Sequence, residues 1–336
     1  MPARTPPEPR RPAGRTRGES APDGGARRSR AAGEGTPPLR VMPGRARAGS
    51  AAAGDHPAHW TRPRGRTVVV ASGKGGVGKS NLCANLAVAL GEAGARVLLL
   101  DGDLSQASLD LLLGLHPRYD LQHVLSGEKT LEEIVVTGPR GVKLIPAASG
   151  VPELADLDDY RRECLLRGLG ALDGEADIVL MDTASGVSRQ VTSFCLAADD
   201  VLVMTTPEMP AFSDAYGLIK LLQGQGLRKA PHLLVSQAAS PEEAEETAHR
   251  IRLVARRFLR LEIEAWGHVP EDAAVPRAVR RQEPVVTAFP QSPAAAAYRA
   301  LAARLLPPAP DPSFDEHSDP AYPLAGLRGG RQRLEA

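Results

Sequence analysis

The stretch 67–94, TVVVASGKGGVGKSNLCANLAVALGEAG, decides how the chain folds. It opens with a continuous apolar run, 67–72, which is typical of a strand buried on both faces of a parallel sheet. A glycine-rich segment follows. Residues 80–94 then place apolar side chains at helical spacing and end on Gly94, a residue that commonly caps a helix. The order of strand, glycine-rich loop and helix predicts the first unit of an α/β fold.

The glycine-rich segment 73–80, GKGGVGKS, fits the phosphate-binding pattern G-x-x-x-x-G-K-[ST]. Glycines allow a positive φ, so that successive N–H groups form an anion-binding nest at the positive end of the following helix. Lys79 is expected to reach the β- and γ-phosphates of a nucleotide, and the Ser80 hydroxyl is expected to bind Mg²⁺. The residues predicted to bind the nucleotide here are Gly73, Lys74, Gly75, Gly76, Val77, Gly78, Lys79, Ser80 and Asn81.

Acidic residues follow two further predicted strands. Asp101 ends the run 96–101 with Asp103 two residues later, and Asp182 ends the run 177–182. Because the carboxyl ends of parallel strands meet at one edge of a sheet, these carboxylates can face the phosphates. We predict that Asp182 and Asp103 belong to the Mg²⁺ site, where Asp103 also orients the attacking water, and that Asp101 anchors its loop.

Apolar runs alternate with helical patterns across the remainder of the chain. Further strands are expected at 142–147, 200–206, 232–236 and 262–269, and helices at 164–172, 215–224 and 292–306. The last helix has an apolar stripe formed by Ala294, Tyr298, Leu301 and Leu305. Alternating strands and helices predict a three-layer α/β/α P-loop NTPase fold with a mostly parallel sheet, as a single domain over 66–306.

Charge separates an N-terminal arm from this domain. Residues 1–66 hold 14 Arg against 5 acidic residues, a local charge of +9, whereas the whole chain carries +1. Neither the arm, 1–65, nor the Pro-rich tail, 307–336, has helical or strand periodicity, so we expect both to be disordered. The arm is either a solvated leader or a loose, non-specific contact for nucleic acid or lipid head groups.

The sequence offers no sign of membrane insertion or export. It contains no apolar run of about 18 residues, and no apolar segment follows the basic N-terminus. Cys83, Cys164 and Cys195 are widely separated and form no C-x-x-C pair, which argues against disulfides and against an iron–sulfur or zinc site. We interpret the cysteines as small core residues and expect a cytoplasmic protein.

Lys74 leads to a family resemblance, because a second lysine in the form GKGG-x-GK marks the deviant Walker A group. The chain resembles the FlhG family of MinD-like flagellar regulators within the MinD/ParA ATPases. The matching stretches are SGKGGVGKSN (72–81), LLLDGDLSQASLDLLLGL (98–115), HPRYDLQHVLSGEKTLEEIV (116–135), LIPAASGVPELADL (144–157), AADDVLVMTTPE (197–208), SPEEA (240–244) and VPEDAAVPRAVRRQEPV (269–285).

The resemblance implies an ATP- and Mg²⁺-dependent monomer–homodimer cycle, in which Lys74 crosses the dimer interface to the partner's ATP. It also implies peripheral association with the cytoplasmic face of the plasma membrane. The partners it implies are an FlhF-like GTPase and flagellar basal-body proteins, and the process is the control of flagellar number and position.

Four departures from the family pattern modify these expectations. Residues 1–66 lack the Asp-Gln-Ala motif that stimulates the partner GTPase, and the loop 105–108 reads Ser-Gln-Ala-Ser in place of Gly-Leu-Ala-Asn. No basic amphipathic helix follows Leu306, so we expect weak or no membrane association.

The fourth departure concerns the nucleotide base. Ser236 occupies the position of the family's adenine-reading Asn, and a hydroxyl cannot make an amide's two-point contact. We therefore expect that Ser236, Pro270 and Asp272 line the base site, and that selectivity for adenine is either weaker or comes from backbone near Pro270 and Asp272.

Several functions remain open at this point. The leading interpretation is a slow ATP hydrolase whose dimer is the signalling state. A ParA-like DNA-partitioning ATPase would use the Arg-rich arm as a nucleic-acid tether. A nucleotide-binding scaffold that no longer hydrolyses ATP is a third reading, while an iron–sulfur carrier would need the C-x-x-C pair that is missing.

Overall fold

The central feature of the fold is one mixed sheet, which the computed structural model describes within residues 65–103, 106–147, 168 and 176–306. In these ranges the sheet has eight strands, in the order β3-β4-β2-β5-β1-β6-β7-β8. They are β1 (Arg66–Ser72), β2 (Val97–Gly102), β3 (Val136–Thr137), β4 (Lys143–Ile145), β5 (Ile178–Ser185), β6 (Asp200–Thr205), β7 (His232–Ala238) and β8 (Ala265–Pro270). Every neighbouring pair is parallel except β3 with β4.

Helices connect the strands, as parallel pairing requires. Those described are α1 (Lys79–Glu92), α2 (Leu109–Leu112), α3 (Leu121–Leu125), α4 (Leu131–Ile134), α5 (Arg189–Ala197), α6 (Met209–Gly224), α7 (Pro241–Val254), α8 (Ala274–Arg280), α9 (Val285–Ala288) and α10 (Pro293–Leu305). A π-helical turn, Ala255–Leu259, extends α7.

Both faces of the sheet are buried. Successive residues of a strand point to opposite faces, so neighbouring residues belong to different core clusters. Val69 of β1 joins a core cluster that contains Phe194 of α5. Its neighbour Val68 joins a second cluster with Leu86 of α1 and Leu301 of α10. Helices therefore cover both faces, and the predicted three-layer α/β/α architecture is confirmed.

The predicted apolar stripe of the last helix packs on this second cluster. Its members Ala294, Tyr298, Leu301 and Leu305 are each at most 4% exposed. Cys83 and Cys195 are fully buried, as expected of small core residues. No helix in the described ranges is both long enough and apolar enough to cross a bilayer.

Some predictions fall outside the described residues. These are the disorder of the arm and of the tail 307–336, the placement of Cys164, and the helix 164–172 apart from Gly168, which is helical.

Three elements differ from the sequence-based expectation. The two-residue β3 is antiparallel at one edge of the sheet and is too short to show a period. Helix α6 begins at Met209, six residues before the predicted 215, with Pro210 in its first turn, where a missing N–H is tolerated.

The last strand begins at Ala265, not at residue 262. After the π-helical turn the chain reverses at Arg260, which has φ +53°. The Arg256 Nε then donates to the Glu262 carboxylate at 2.6 Å. The first backbone hydrogen bond to β7 comes from this connection, where the Glu264 oxygen accepts from the Leu233 N–H at 2.9 Å.

Candidate functional site

The predicted P-loop follows β1, which lies between β5 and β6 in the sheet. The strand ends at Ser72 and α1 begins at Lys79, so the loop joins a buried strand directly to a helix N-terminus. Gly76 and Gly78 have φ of +79° and +93°, a conformation that glycine adopts without steric cost. This backbone can turn successive N–H groups toward one anion beside the positive end of α1.

Gly73 is glycine for a different reason, the close approach of α6. A Cβ placed on Gly73 would lie 2.3 Å from the backbone oxygen of Asp214. Only a residue without a side chain allows α6 to pass this close to the start of the loop. The P-loop is therefore packed against a helix that begins far along the chain.

Lys79 lies inside the loop, with 8% of its surface exposed. Its Nζ donates to the Ser72 Oγ at 2.9 Å, and that hydroxyl in turn donates to the Lys74 backbone oxygen at 2.7 Å. Burial lowers the pKa of Lys79, against the opposing effects of the Asp182 and Asp103 charges. A buried ammonium between these carboxylates and the loop is well placed to meet phosphate charge.

Asp182 is a fully buried carboxylate beside Lys79 and Ser80. It stands opposite Val70 of β1 and opposite Asp101 of β2 in the sheet register. Among the described residues, no hydrogen bond of ordinary length and angle reaches its side-chain oxygens, although the Ser80 hydroxyl lies close enough to act on their charge. Burial raises the pKa of Asp182 to about 6, although the Ser80 hydroxyl and the Lys79 charge act to lower it.

An unpartnered buried carboxylate is costly unless a cation or donor satisfies it. The carboxylate of Asp182 and the hydroxyl of Ser80 are oxygen ligands of the kind that Mg²⁺ takes, directly or through water. The residues present therefore fit the predicted Mg²⁺ site.

Asp101 anchors the loop after β2, as the sequence predicted. Its carboxylate accepts hydrogen bonds from the backbone N–H groups of Asp103, Ser108 and Leu109, at 3.2, 3.0 and 3.1 Å. Burial, followed by the neighbouring Asp182 charge, raises the pKa of Asp101. Both carboxylate oxygens of Asp101 are occupied by these backbone N–H groups. Other residues are therefore left to face the phosphates.

Asp103, predicted to orient water, is half-buried at the end of this strand. Its Oδ1 accepts from the Gln106 backbone N–H at 3.1 Å. Its charge raises the pKa of both Lys79 and Asp182, so the three groups share one electrostatic environment. Leu104 and Ser105, in the loop where the family pattern changes, lie outside the described residues.

Lys74 occupies a different environment from Lys79. Its side chain is 35% exposed and its Nζ forms an ion pair with the carboxylate of Glu208, which precedes α6. The two lysines of one loop are thus separated, one turned inward and one held at the rim. Sequence reasoning did not identify Glu208, because the pair spans 134 residues.

A cavity of about 520 Å³ lies beside the loop, a volume within the range usual for small-molecule sites. The predicted base-contacting residues Ser236, Pro270 and Asp272 line it, as does Asn81 at the end of the predicted P-loop set. Other lining residues include Gly76, Val77, Gly78, Gln237, Glu271 and Tyr298. The cavity therefore adjoins the P-loop at Gly76, Val77 and Gly78.

Ser236 lines this cavity but is already bonded within the protein. Its Oγ lies 2.7 Å from the Val77 backbone oxygen and 3.2 Å from that of Thr205, and its single proton serves these acceptors. Asp272 is similarly engaged, since its two oxygens accept from the backbone N–H groups of Ala274 and Ala294 at 2.8 and 3.0 Å. Both side chains shape the pocket wall.

Comparison with known proteins places the site in a defined family. Residues 68–285 match the model of the CobQ/CobB/MinD/ParA nucleotide binding domain. The chain is 38% identical over 240 residues to the antiactivator FleN of Pseudomonas aeruginosa, covering 71% of this chain and 86% of FleN. It is 32% identical over 226 residues to the flagellum site-determining protein YlxH of Helicobacter pylori, covering 64% of this chain and 73% of YlxH.

A solved structure agrees with this placement. The septum site-determining protein MinD of Pyrococcus horikoshii OT3, complexed with Mg-ADP, superposes with a TM-score of 0.62 at 28% identity, covering 71% of this chain and 95% of that one.

Proposed function

We propose that this protein is a slow, Mg²⁺-dependent ATPase whose ATP-bound homodimer is the signalling state. The chain belongs to the CobQ/CobB/MinD/ParA nucleotide-binding family, which is the starting point of this proposal. The domain is assigned to 66–306, between two tails. Its cofactors are ATP and Mg²⁺. The observation that carries the proposal is the separation of the two P-loop lysines, with Lys79 buried and Lys74 at the exposed rim.

The buried half of the site would bind Mg-ATP. The backbone N–H groups of the loop and the start of α1 hold the phosphates, and Lys79 neutralises their charge. Ser80 and Asp182 hold Mg²⁺, which when bound supplies charge stabilisation at the transferred phosphoryl group. Asp103, which directly follows β2, orients the attacking water.

The exposed half would make the dimer. The contact between Lys74 and Glu208 keeps the lysine at the surface, where a second copy can reach it. Placed against the partner's ATP, Lys74 adds positive charge where phosphoryl negative charge develops, in the manner of an arginine finger. ATP then shifts the monomer–dimer equilibrium, and hydrolysis resets it.

The test combines turnover with light-scattering mass measurements in ATP for Lys74→Ala and Asp103→Ala. We expect Lys74→Ala to bind ATP yet stay monomeric, with turnover reduced at least about tenfold. We expect Asp103→Ala to dimerise without turnover. The matched control is Lys220→Ala, which removes an exposed lysine of α6 and should leave both readouts unchanged.

Each assignment has its own contrary result. Dimerisation and turnover of Lys74→Ala at the wild-type level would remove the basis of the dimer proposal. Hydrolysis by Asp103→Ala at the wild-type rate would refute only the role of Asp103.

We further propose that the switch regulates flagellar number or placement, with an FlhF-like GTPase and basal-body proteins as partners. The relatives FleN and YlxH, whose names describe an antiactivator and flagellum site determination, support this role. Deleting the gene should change the number of flagella per cell, and restoring it with Lys74→Ala should not correct the count. An unchanged count after deletion would contradict the flagellar role.

Two further tests address the arm and the membrane. We expect little sedimentation with anionic vesicles, since residues 307–336 hold five acidic residues against three arginines. A DNA-partitioning role predicts DNA binding at low salt that disappears when residues 1–65 are deleted. Such binding would favour the ParA-like alternative over the flagellar one.

A further inference from the structure

The bulge that ends β7 brings an unpredicted amide to the nucleotide cavity. The register between β7 and β8 shifts between Ser236 and Ala238, and the residue between them, Gln237, has φ +56°. Positive φ is uncommon for a residue other than glycine, asparagine or aspartate. Bulges of this kind redirect a side chain, often beside a functional site.

The redirected side chain returns to the P-loop. The Gln237 Nε2 donates to the Gly76 backbone oxygen at 2.9 Å, while Gln237 itself stays exposed and lines the cavity. This contact fixes which end of the carboxamide faces the loop. One N–H of the amide and the lone pairs of Oε1 have no other hydrogen-bond partner among the described residues.

Two other polar side chains in the cavity wall, those of Ser236 and Asp272, are less available. The Ser236 proton serves backbone acceptors, and both Asp272 oxygens hold backbone N–H groups. Gln237 therefore offers what Ser236 does not, a donor and an acceptor side by side in a fixed orientation.

We propose that Gln237 reads the purine base and makes the site selective for adenine. This inference rests on the proposed binding of ATP in the same cavity. A carboxamide matches adenine, whose N6 amine donates while an adjacent ring nitrogen accepts. Guanine presents an acceptor, O6, where adenine presents that donor. Accommodating guanine in the same pose requires the amide to rotate and break its bond to Gly76.

The test compares the affinities of the full chain for ATP, GTP and inorganic tripolyphosphate with Mg²⁺, by competition against a fluorescent ADP analogue. Gln237→Leu removes the amide at similar size. Gln237→Gly removes it and also suits the positive φ, so at least one variant is free of backbone strain. Gln223→Leu is the matched control, because its Nε2 likewise donates to a backbone oxygen, that of Leu259 at 2.7 Å, away from the cavity.

We expect the wild type to prefer ATP over GTP, and both Gln237 variants to bind ATP about tenfold more weakly, the effect of losing one to two hydrogen bonds. Their affinity for GTP and tripolyphosphate should stay within about twofold, a difference of less than 0.5 kcal/mol. Gln223→Leu should keep the wild-type ATP-to-GTP ratio.

The outcomes separate this inference from the proposed function. A wild type that binds ATP but shows the same ATP-to-GTP ratio as both Gln237 variants overturns the inference alone. An equal loss of ATP, GTP and tripolyphosphate affinity also overturns it, because the amide then acts only through the P-loop. A wild type that binds no nucleotide overturns the proposed function as well.

Discussion

Replacing Gly73 with alanine tests whether the P-loop is held by its contact with α6. The added Cβ would lie 2.3 Å from the Asp214 backbone oxygen, whereas ordinary contacts begin at about 3.4 Å. The loop and the helix must therefore separate by about 1 Å, and overpacking of this kind costs about 1–3 kcal/mol. We expect the free energy of unfolding of Gly73→Ala to fall by that amount, and its affinity for Mg-ADP to fall with it.

Gly217→Ala on the same helix provides the matched control. A Cβ at Gly217 meets no atom within 4 Å, and Gly217 is a solvent-exposed residue in the middle of α6. Alanine is the better helix former, so this variant should gain up to about 1 kcal/mol.

Urea unfolding followed by far-ultraviolet circular dichroism, with and without Mg-ADP, measures both changes. The reasoning is refuted if Gly73→Ala unfolds at the wild-type midpoint, or if Gly217→Ala loses as much stability as Gly73→Ala.

Three further predictions follow from polar groups that are buried or half-buried. In the wild type the Val286 backbone N–H donates to Asn85 Oδ1 at 3.1 Å. Asn85→Ala removes this acceptor and should lower the free energy of unfolding, measured in urea, by about 1–3 kcal/mol. ADP with Mg²⁺ should raise the melting temperature of the wild type more than ADP alone does, and Asp182→Asn should abolish this additional rise. An unchanged effect of Mg²⁺ in the variant would contradict the metal site. Burial lowers the pKa of His232, although the Asp200 and Glu264 carboxylates act to raise it. The folded chain therefore binds a proton at His232 less readily than the unfolded chain does. Stability should therefore decline as pH falls below about 6.5, and His232→Gln should flatten that decline; equal slopes for both proteins would argue against it.

Local patterns explain why much of the site is predictable from sequence. The P-loop consists of eight contiguous residues with a recognisable spacing, and the apolar run before it and the helical period after it predict the flanking strand and helix. Asp101 and Asp182 are predictable because each ends an apolar run, and parallel strands bring such ends together. The apolar stripe of α10 follows from helical period in the same way.

Contacts that depend on distant backbone are not predictable in this way. The ion pair of Lys74 with Glu208 joins residues 134 positions apart, and nothing in their local sequence distinguishes this acid from its neighbours. The close approach of Asp214 to Gly73 depends on where α6 crosses the loop.

Gln237 shows the same limit for backbone conformation. Its orientation results from a bulge and a positive φ at a residue type that rarely signals a turn. The sequence locates the P-loop and the strand-end carboxylates, which are local features, but not Gln237, whose orientation is set by irregular backbone.

The position of β1 in the sheet has a consequence for synthesis on the ribosome. Both neighbours of β1 come late in the chain: Thr183 Oγ1 donates to Val70 O across 113 residues, and Arg66 pairs with Asp200 across 134. β2, the next strand to emerge, is separated from β1 by β5 in the finished sheet. A nascent chain therefore exposes an apolar, unpaired strand until β5 and β6 have left the exit tunnel, which makes folding slow and the intermediate prone to aggregation. The capacity to hold a nucleotide appears only after most of the domain has been translated.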